Sequence, residues 1–413
     1  MKITKHLLAL AIILSSSMAI FAQNVMTPYS RYGYGILQDN ATSAQRSMGG
    51  VGYAMNSGRQ INAMNPASYA STDSLTFLFD IGISATALWS KEGDKSGSNF
   101  GGGLDYITMQ FPISKYMGAS IGLIPFSSVG YSFGNEIIHG SNTYEGTGGL
   151  NQLYAGVSGK FFNHFSLGIN ASYLFGTTIN DIYVYTSSGS TSLFERVMQV
   201  RDWRLQAGAQ YSFNINSKNR VTLGAVYSPG KDLLGKTWGM KYDIDSDTKP
   251  DTIGFTKTKG KYSLPHSIGG GINYEWDNRL MAEVDFTYQN WKDAKYSALE
   301  NFEQTRFDNR WEISAGLQYT PKLRGNYAQR IQYRLGGFYN HDYLLINNTN
   351  NIQEYGVTAG VGLPVNGFKT IVNIGLEYRH RQATPNPLVK ENFLNITLGV
   401  NFNESWFWKN KIR

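Results

Sequence analysis

The chain has 413 residues, a formal net charge of +7, no cysteine and only 16% charged residues. Without cysteine there is no disulfide framework and no cysteine metal centre, and a modest positive excess spread along the chain does not describe a nucleic-acid surface. With 45 Gly, 27 Tyr, 22 Phe and 8 Trp, it is a glycine- and aromatic-heavy chain that needs a large sheet or a large core to hold it.

Residues 1–22 read as a signal peptide. Lys2 and Lys5 form a basic start, Leu7 to Leu14 an apolar stretch, and Ala22 a small residue at the cleavage point. The apolar run is too short for a membrane helix, so the mature chain is expected to begin near Gln23 and to be exported. No later apolar run is long enough to cross a bilayer as a helix. Residues 23–73 are dotted with glycine and end in "INAMNPASYAS", where Asn65-Pro66-Ala67 marks a rigid turn. This segment is expected to be a hatch inside a barrel, with a plain periplasmic turn as the alternative.

From residue 74 to residue 403 apolar and polar side chains alternate, the signature of strands with two different faces. In "LNITLGVNF" Leu394, Ile396, Leu398, Val400 and Phe402 share one face, and Asn395, Thr397, Gly399 and Asn401 the other. Residues 370–379 and 311–319 repeat the pattern, and aromatics such as Trp311, Tyr319, Tyr378 and Phe402 close the apolar face, as interfacial girdles do. Tight links at 114–117, 162–165, 216–219, 276–279 and 364–368 alternate with longer polar segments near 91–101, 135–147, 181–196, 231–261, 294–306, 343–351 and 382–391. The expected fold is all-β, a transmembrane antiparallel β-barrel of about fourteen strands with both ends periplasmic. Residues 404–413 read as an aromatic-basic periplasmic tail, or equally as a short surface appendage.

Within the wall, Pro125 stands mid-strand beside Phe126, flanked by Gly122 and Gly130. Proline removes a ladder donor, which is costly in lipid, so this stretch is expected either to open the wall sideways or to form an ordinary bulge. Alternation points Leu78, Leu88, Ile124, Phe126 and Leu174 inward, to meet either an apolar ligand or the hatch. Glu283, Asp285, Glu312, Arg334, Glu377 and Arg379 also face inward. Arg204, Arg334 and Arg379 are candidates for a ligand carboxylate, with pairing across the lumen as the alternative. His139, His164, His266, His341 and His380 lack metal-site spacing, and no Ser/His/Asp set or nucleophile elbow appears. The expectation is a non-enzyme without cofactor.

Four stretches in order carry a resemblance: "AQRSMGGVGYAMNSGRQINAMNPASYAS", "GASIGLIPFSSVGYSF", "YSLPHSIGGGINYEWDNRLMAEVDFTYQNWKD" and "RWEISAGLQYTP" with "YRLGGFYN". Together the chain resembles the FadL-type family of outer-membrane transporters for long-chain fatty acids and other hydrophobic compounds. The resemblance implies a fourteen-stranded barrel with an N-terminal hatch, capture of ligand from outside, and lateral release through a kinked strand. It departs from the family at Arg59 and Gln60, and in the charged, strand-like 231–261 segment where an apolar helical lid is expected. The leading expectation is therefore passive uptake of fatty-acid-like molecules by a monomeric barrel in the bacterial outer membrane, in contact with its lipid and not with nucleic acid. Two alternatives stand beside it: a non-transport anchoring or shuttle component of a secretion or surface complex, with 231–261 facing a protein partner, and a general porin.

Overall fold

Alternation along the chain becomes a run of hairpins. The computed structural model describes residues 25–405 apart from 163, 188–190, 245–250, 259–260, 298–301, 303 and 366–368. The expected leader and most of the expected tail lie outside the described residues. In chain order the strands are β1 (Ile36–Leu37), β2 (Thr76–Glu92), β3 (Lys95–Ser114), β4 (Met117–Ile137), β5 (Gly140–Phe161), β6 (Phe165–Thr186) and β7 (Thr191–Asn214). Then come β8 (Asn219–Ser228), β9 (Lys231–Asp232), β10 (Gly235–Ile244), β11 (Asp251–Thr258), β12 (Ser263–Leu264), β13 (Ser267–Trp276) and β14 (Leu280–Gln289). The chain closes with β15 (Arg306–Phe307), β16 (Arg310–Tyr319), β17 (Gln332–Ile346), β18 (Asn350–Pro364), β19 (Ile371–Thr384) and β20 (Lys390–Ser405).

Among the described residues fourteen of these strands close an antiparallel barrel, β2 to β8, β13, β14 and β16 to β20, with β20 returning onto β2 from Thr76↔Ser405 to Lys91↔Lys390. The lipid-facing side is apolar: Ile121, Leu153, Val157, Ile169, Ile272, Val284, Leu335, Val357, Leu376 and Ile396 are all exposed. Trp89, Phe100, Tyr173, Trp203, Tyr227, Tyr288 and Tyr355 ring one end of this band, and Tyr116, Phe161, Tyr211, Trp276, Tyr319, Tyr333 and Phe402 the other. Such a belt between two aromatic girdles is what a barrel needs in a bilayer.

The connections differ from the sequence expectation. Segments 91–101, 135–147 and 343–351 are not loops but continuations of strands, closed by short turns such as Gly93-Asp94 and Asn347-Asn348, and 181–186 and 191–196 likewise belong to strands. Above the girdle the outward side chains need no longer be apolar, so alternation fades while the ladder persists. On the opposite side residues 320–331 form a longer connection with a one-turn helix, Tyr327–Arg330, and β20 runs on to Ser405, past the expected barrel end at 403. The Asp277-Asn278 turn has positive φ at both positions, 52° and 53°, as a two-residue hairpin of this twist requires.

The wall is interrupted twice. Pairing of β3 with β4 stops at Ile107↔Leu123, although both strands continue upward. β7 pairs with β8 only from Ala207↔Tyr227 downward, and with β10 only from Val200↔Gly235 upward. The panel β4–β7 is thus tied to its neighbours in the lower half, and above it extends through β10 and β11 into a six-stranded sheet. A bend crosses this panel in register: a bulge between Pro125 and Ser127, then Gly148, Gly149 and Gly176 at φ 107°, 152° and 153°.

Candidate functional site

The lumen is occupied by the chain's own residues 29–72, most of them buried. Glycines on the inner wall make room for them, because a Cβ at those positions would strike the plug. Gly82 and Gly399 face Ser43, Gly360 and Gly375 face Ser47, Gly316 and Gly336 face Met48, and Gly224 and Gly269 face Tyr53. Gly208 and Gly168 face Asn65 and Pro66, while Gly156 and Gly118 face Tyr69. Twelve barrel strands thus present a glycine to the plug, and the remaining two use side chains. On β3, the Tyr106 hydroxyl accepts from Ser43 N (2.9 Å) and donates to Asp80 (2.9 Å). On β14, Asp285 accepts from Gly52 N (2.7 Å) and Tyr53 N (2.9 Å), and Glu283 from Ala54 N (2.8 Å) and Met55 N (3.1 Å). Two wall carboxylates therefore satisfy four consecutive plug amides that no secondary structure pairs.

Asn65 is the knot of this segment. It is fully buried, its side-chain oxygen caps the turn Pro66–Ser71 by accepting from Ala67 N (3.0 Å), and its amide donates to the carbonyls of Tyr53 (2.6 Å) and Ala209 (3.3 Å). Pro66 and Ala67 follow as the first residues of that turn, and both are buried. The Asn-Pro-Ala stretch thus sits inside the barrel against β7, not as a free turn below it.

Three of the five inward apolar residues are packed against the plug. Leu174 and, at its margin, Phe126 belong to one cluster with Tyr29, Tyr34, Ile36, Leu150, Trp291 and Tyr343. Ile124 belongs to a second, with Ala63, Tyr69, Tyr106 and Tyr154, while Leu78 and Leu88 are buried on β2 outside both. The five residues do not line one continuous path. Tyr34 is held in an aromatic cage, its ring 5.7 Å from Trp291, 5.4 Å from Tyr296 and 6.2 Å from Phe307.

Of the three candidate arginines, two are spent within the protein. Arg379 pairs with Glu354 (3.0 Å) and Glu377 (2.5 Å), in a network that continues through Arg381 to Glu391, and nearby Arg310 pairs with Asp39 and Glu312. Arg334 donates to Gln318 (2.8 Å), Asn373 (2.7 Å) and Gln332 (2.5 Å). Arg204 has less: the Ser228 hydroxyl at 3.2 Å and the Phe126 ring 5.7 Å from its guanidinium carbon, beside a cavity of about 90 Å³ that Gln206, Gln289, Asn40 and Arg310 also line. A second space of about 50 Å³ lies among Arg310, Glu312, Glu354 and Arg379. Among the described residues no group of three or more His, Asp or Glu is placed to hold a metal ion.

Gly122 lies where β3 and β4 still pair, at Thr108↔Gly122, whereas Pro125, Phe126 and Gly130 lie beyond the last pair. The seam opens onto a recess of about 730 Å³ bordered by Met26, Leu104, Pro125, Val129, Gly130 and Phe175. Its β4 edge is met from inside by β1, at Ile36↔Ser128 and Leu37↔Ser127. Sequence reading placed Glu283 and Asp285 inward but not their amide partners. Their spacing at i and i+2 on one face, opposite a glycine-flanked plug segment, was the available signal. The glycine seats carried one too, since Gly399, Gly375 and Gly316 recur on the polar face of their strands.

The family model described as BamG matches residues 3–413. No curated protein matches the chain. Among solved structures, a Pseudomonas aeruginosa FadL homologue superposes with a TM-score of 0.65 at 12% identity, covering 89% of this chain and 99% of its own. The Pseudomonas putida toluene transporter TodX gives 0.59 at 13% identity over 90% and 99%, and the Ralstonia pickettii toluene transporter TbuX 0.55 at 14% over 89% and 98%. The likeness is one of fold: an outer-membrane barrel of the FadL type.

Proposed function

Because the chain belongs to the BamG family and has the FadL-type fold, we propose that it is a closed outer-membrane barrel that serves a surface complex, meeting a protein partner through its 231–261 segment. The filled lumen is the observation that carries this reading. Ile124, Phe126 and Leu174 already have apolar partners in the plug, and the spaces left beside it are small: one of about 90 Å³ where Arg204, Arg310 and amide side chains meet Met64, Phe126, Leu264 and Trp291, and one of about 50 Å³ among Arg310, Glu312, Glu354 and Arg379. An apolar void of about 150 Å³ stays dry and takes a small hydrocarbon, whereas these spaces are smaller and each is bordered by a guanidinium group. The 231–261 segment supplies an outward element in β10 and β11. β11 has no pairing on its outer edge among the described residues, and Leu234 and Phe255 are exposed beside it. A projecting sheet edge of this kind suits addition of a partner strand.

The test is replacement of residues 236–257 by a short Gly-Ser turn, followed by mild-detergent extraction from native membranes. The expected result is loss of a co-purifying assembly while the barrel keeps its heat-modifiable mobility. If wild-type chain is extracted only as a lone barrel, the reading fails.

A second reading, uptake of hydrophobic, fatty-acid-like molecules with lateral release, is favoured by one observation, the recess where β3 and β4 part at Pro125 and Phe126. On that reading Arg204 receives a ligand carboxylate. Equal uptake of labelled fatty acid by cells with and without the chain would count against it.

A further inference from the structure

The barrel's two closing strands both end on the short-turn side, at Thr76 and Ser405. The start of the described chain lies elsewhere. Thr27 donates its backbone N–H to the Gly130 carbonyl at 2.7 Å, and the Ser30 hydroxyl binds the same residue. Both contacts fall on β4 above the last β3–β4 pair. One residue earlier, Met26 N–H donates to the Asn99 side chain of β3 at 3.2 Å. Asn99 precedes Phe100 of the outer girdle and faces Leu88 in the ladder, next to Trp89. Met26 borders the seam recess and is 36% exposed. The chain thus spans the seam, touching β3 with one residue and β4 with the next, before Tyr29 and Tyr34 descend into the lumen cluster. It returns to the β4 edge at Ile36–Leu37, and Gln38 N–H donates to the Phe126 carbonyl at 3.0 Å.

From this path we propose that the chain enters its own barrel sideways at Val25 and Met26. This entry point lies on the cell-exterior side of the seam between β3 and β4, at the height of the outer girdle, and not in the periplasm. Residues 26–38 then act as a stitch across the break: they occupy ladder groups of β4 that would otherwise be unpaired in lipid, and they leave the entry point accessible from outside. The inference does not rest on the reading as a partner-bound barrel, and a stitched seam stands against lateral release at the same place unless residues 26–38 move aside.

The chain has no cysteine, so single thiols report position without background. Met26→Cys is treated in intact cells with a membrane-impermeant maleimide. Ile138→Cys, at a hairpin tip where Ile138 is 94% exposed, serves as the exterior control, and Phe162→Cys, where Phe162 is 91% exposed at a short turn, as the periplasmic one. Labelling of Met26→Cys in intact cells to the extent seen for Ile138→Cys, with Phe162→Cys reacting only after permeabilisation, is the expected result. Labelling only after permeabilisation, or none in either state from heat-modifiable protein, overturns the proposal. If Met26→Cys does not reach the membrane, Val25→Cys is read in the same way.

Discussion

At the scale of single residues the molecule is decided by what glycine leaves out. A Cβ at Gly208 would overlap the Asn65 side chain and approach Pro66 Cδ to 2.8 Å. Both are anchored, so Gly208→Val is expected to cost the roughly 1–3 kcal/mol of an overpacked core, or more, read as a lower temperature for loss of heat-modifiable mobility. Asn65→Asp separates the two jobs of that side chain. It keeps the acceptor for Ala67 N but loses the amide that donates to Tyr53 and Ala209. Destabilisation close to that of Asn65→Ala is expected, because buried carbonyls lose their donor and a charge is added. An Asp variant as stable as wild type would mean that only the turn cap counts. The Asn-Pro-Ala turn was legible from backbone chemistry alone. Its glycine partners were legible only as glycines recurring on the polar face of their strands, because a glycine that seats a plug and one that relaxes a strand look the same in sequence.

At the scale of elements, the sheet above the membrane has its own electrostatics. Glu145, Asp181 and Glu195 stand side by side on β5, β6 and β7. Burial, then Glu195 and Glu145, push the Asp181 carboxyl up to about 6, and burial also raises Glu195 against the hydrogen bond from Tyr242. A carboxyl whose folded pKa is raised holds its proton more tightly when folded, so the sheet is favoured at acidic pH and loses that contribution as pH rises through about 6. Asp181→Asn is accordingly expected to make the β5–β7 tips more protease-resistant than wild type at pH 7.5, with the difference vanishing below about pH 4, the unfolded carboxylate range. A pH-independent difference would contradict this. These strand extensions were read as loops because alternation reports contact with lipid, and above the girdle there is none. The Pro125 interruption was legible; the matching break beside Trp203 was not, since it arises where β8 turns inward at Ser228 and β10 takes its place on β7.

For the whole molecule, the fourteen-stranded outline was readable because bilayer and lumen write opposite chemistry on alternate residues. Whether the lumen was a path was not readable, because apolar inward residues serve a ligand and a plug equally well. The packing favours the plug, with contacts on every barrel strand, and the function proposed here requires that it stay in place. A disulfide can hold it there: a Cβ at Gly375 lies 3.6 Å from Ser47 Cβ, within the range of about 3.5–4.5 Å that a disulfide spans. Ser47→Cys/Gly375→Cys, oxidised and supplied as the only copy, can be assayed for both the extracted assembly and the uptake of a labelled long-chain fatty acid. A barrel that works with its lumen closed should give the wild-type assembly and unchanged uptake when locked. Loss of uptake on locking, regained on reduction, from a chain extracted as a lone barrel, would show instead that the plug is a moving gate.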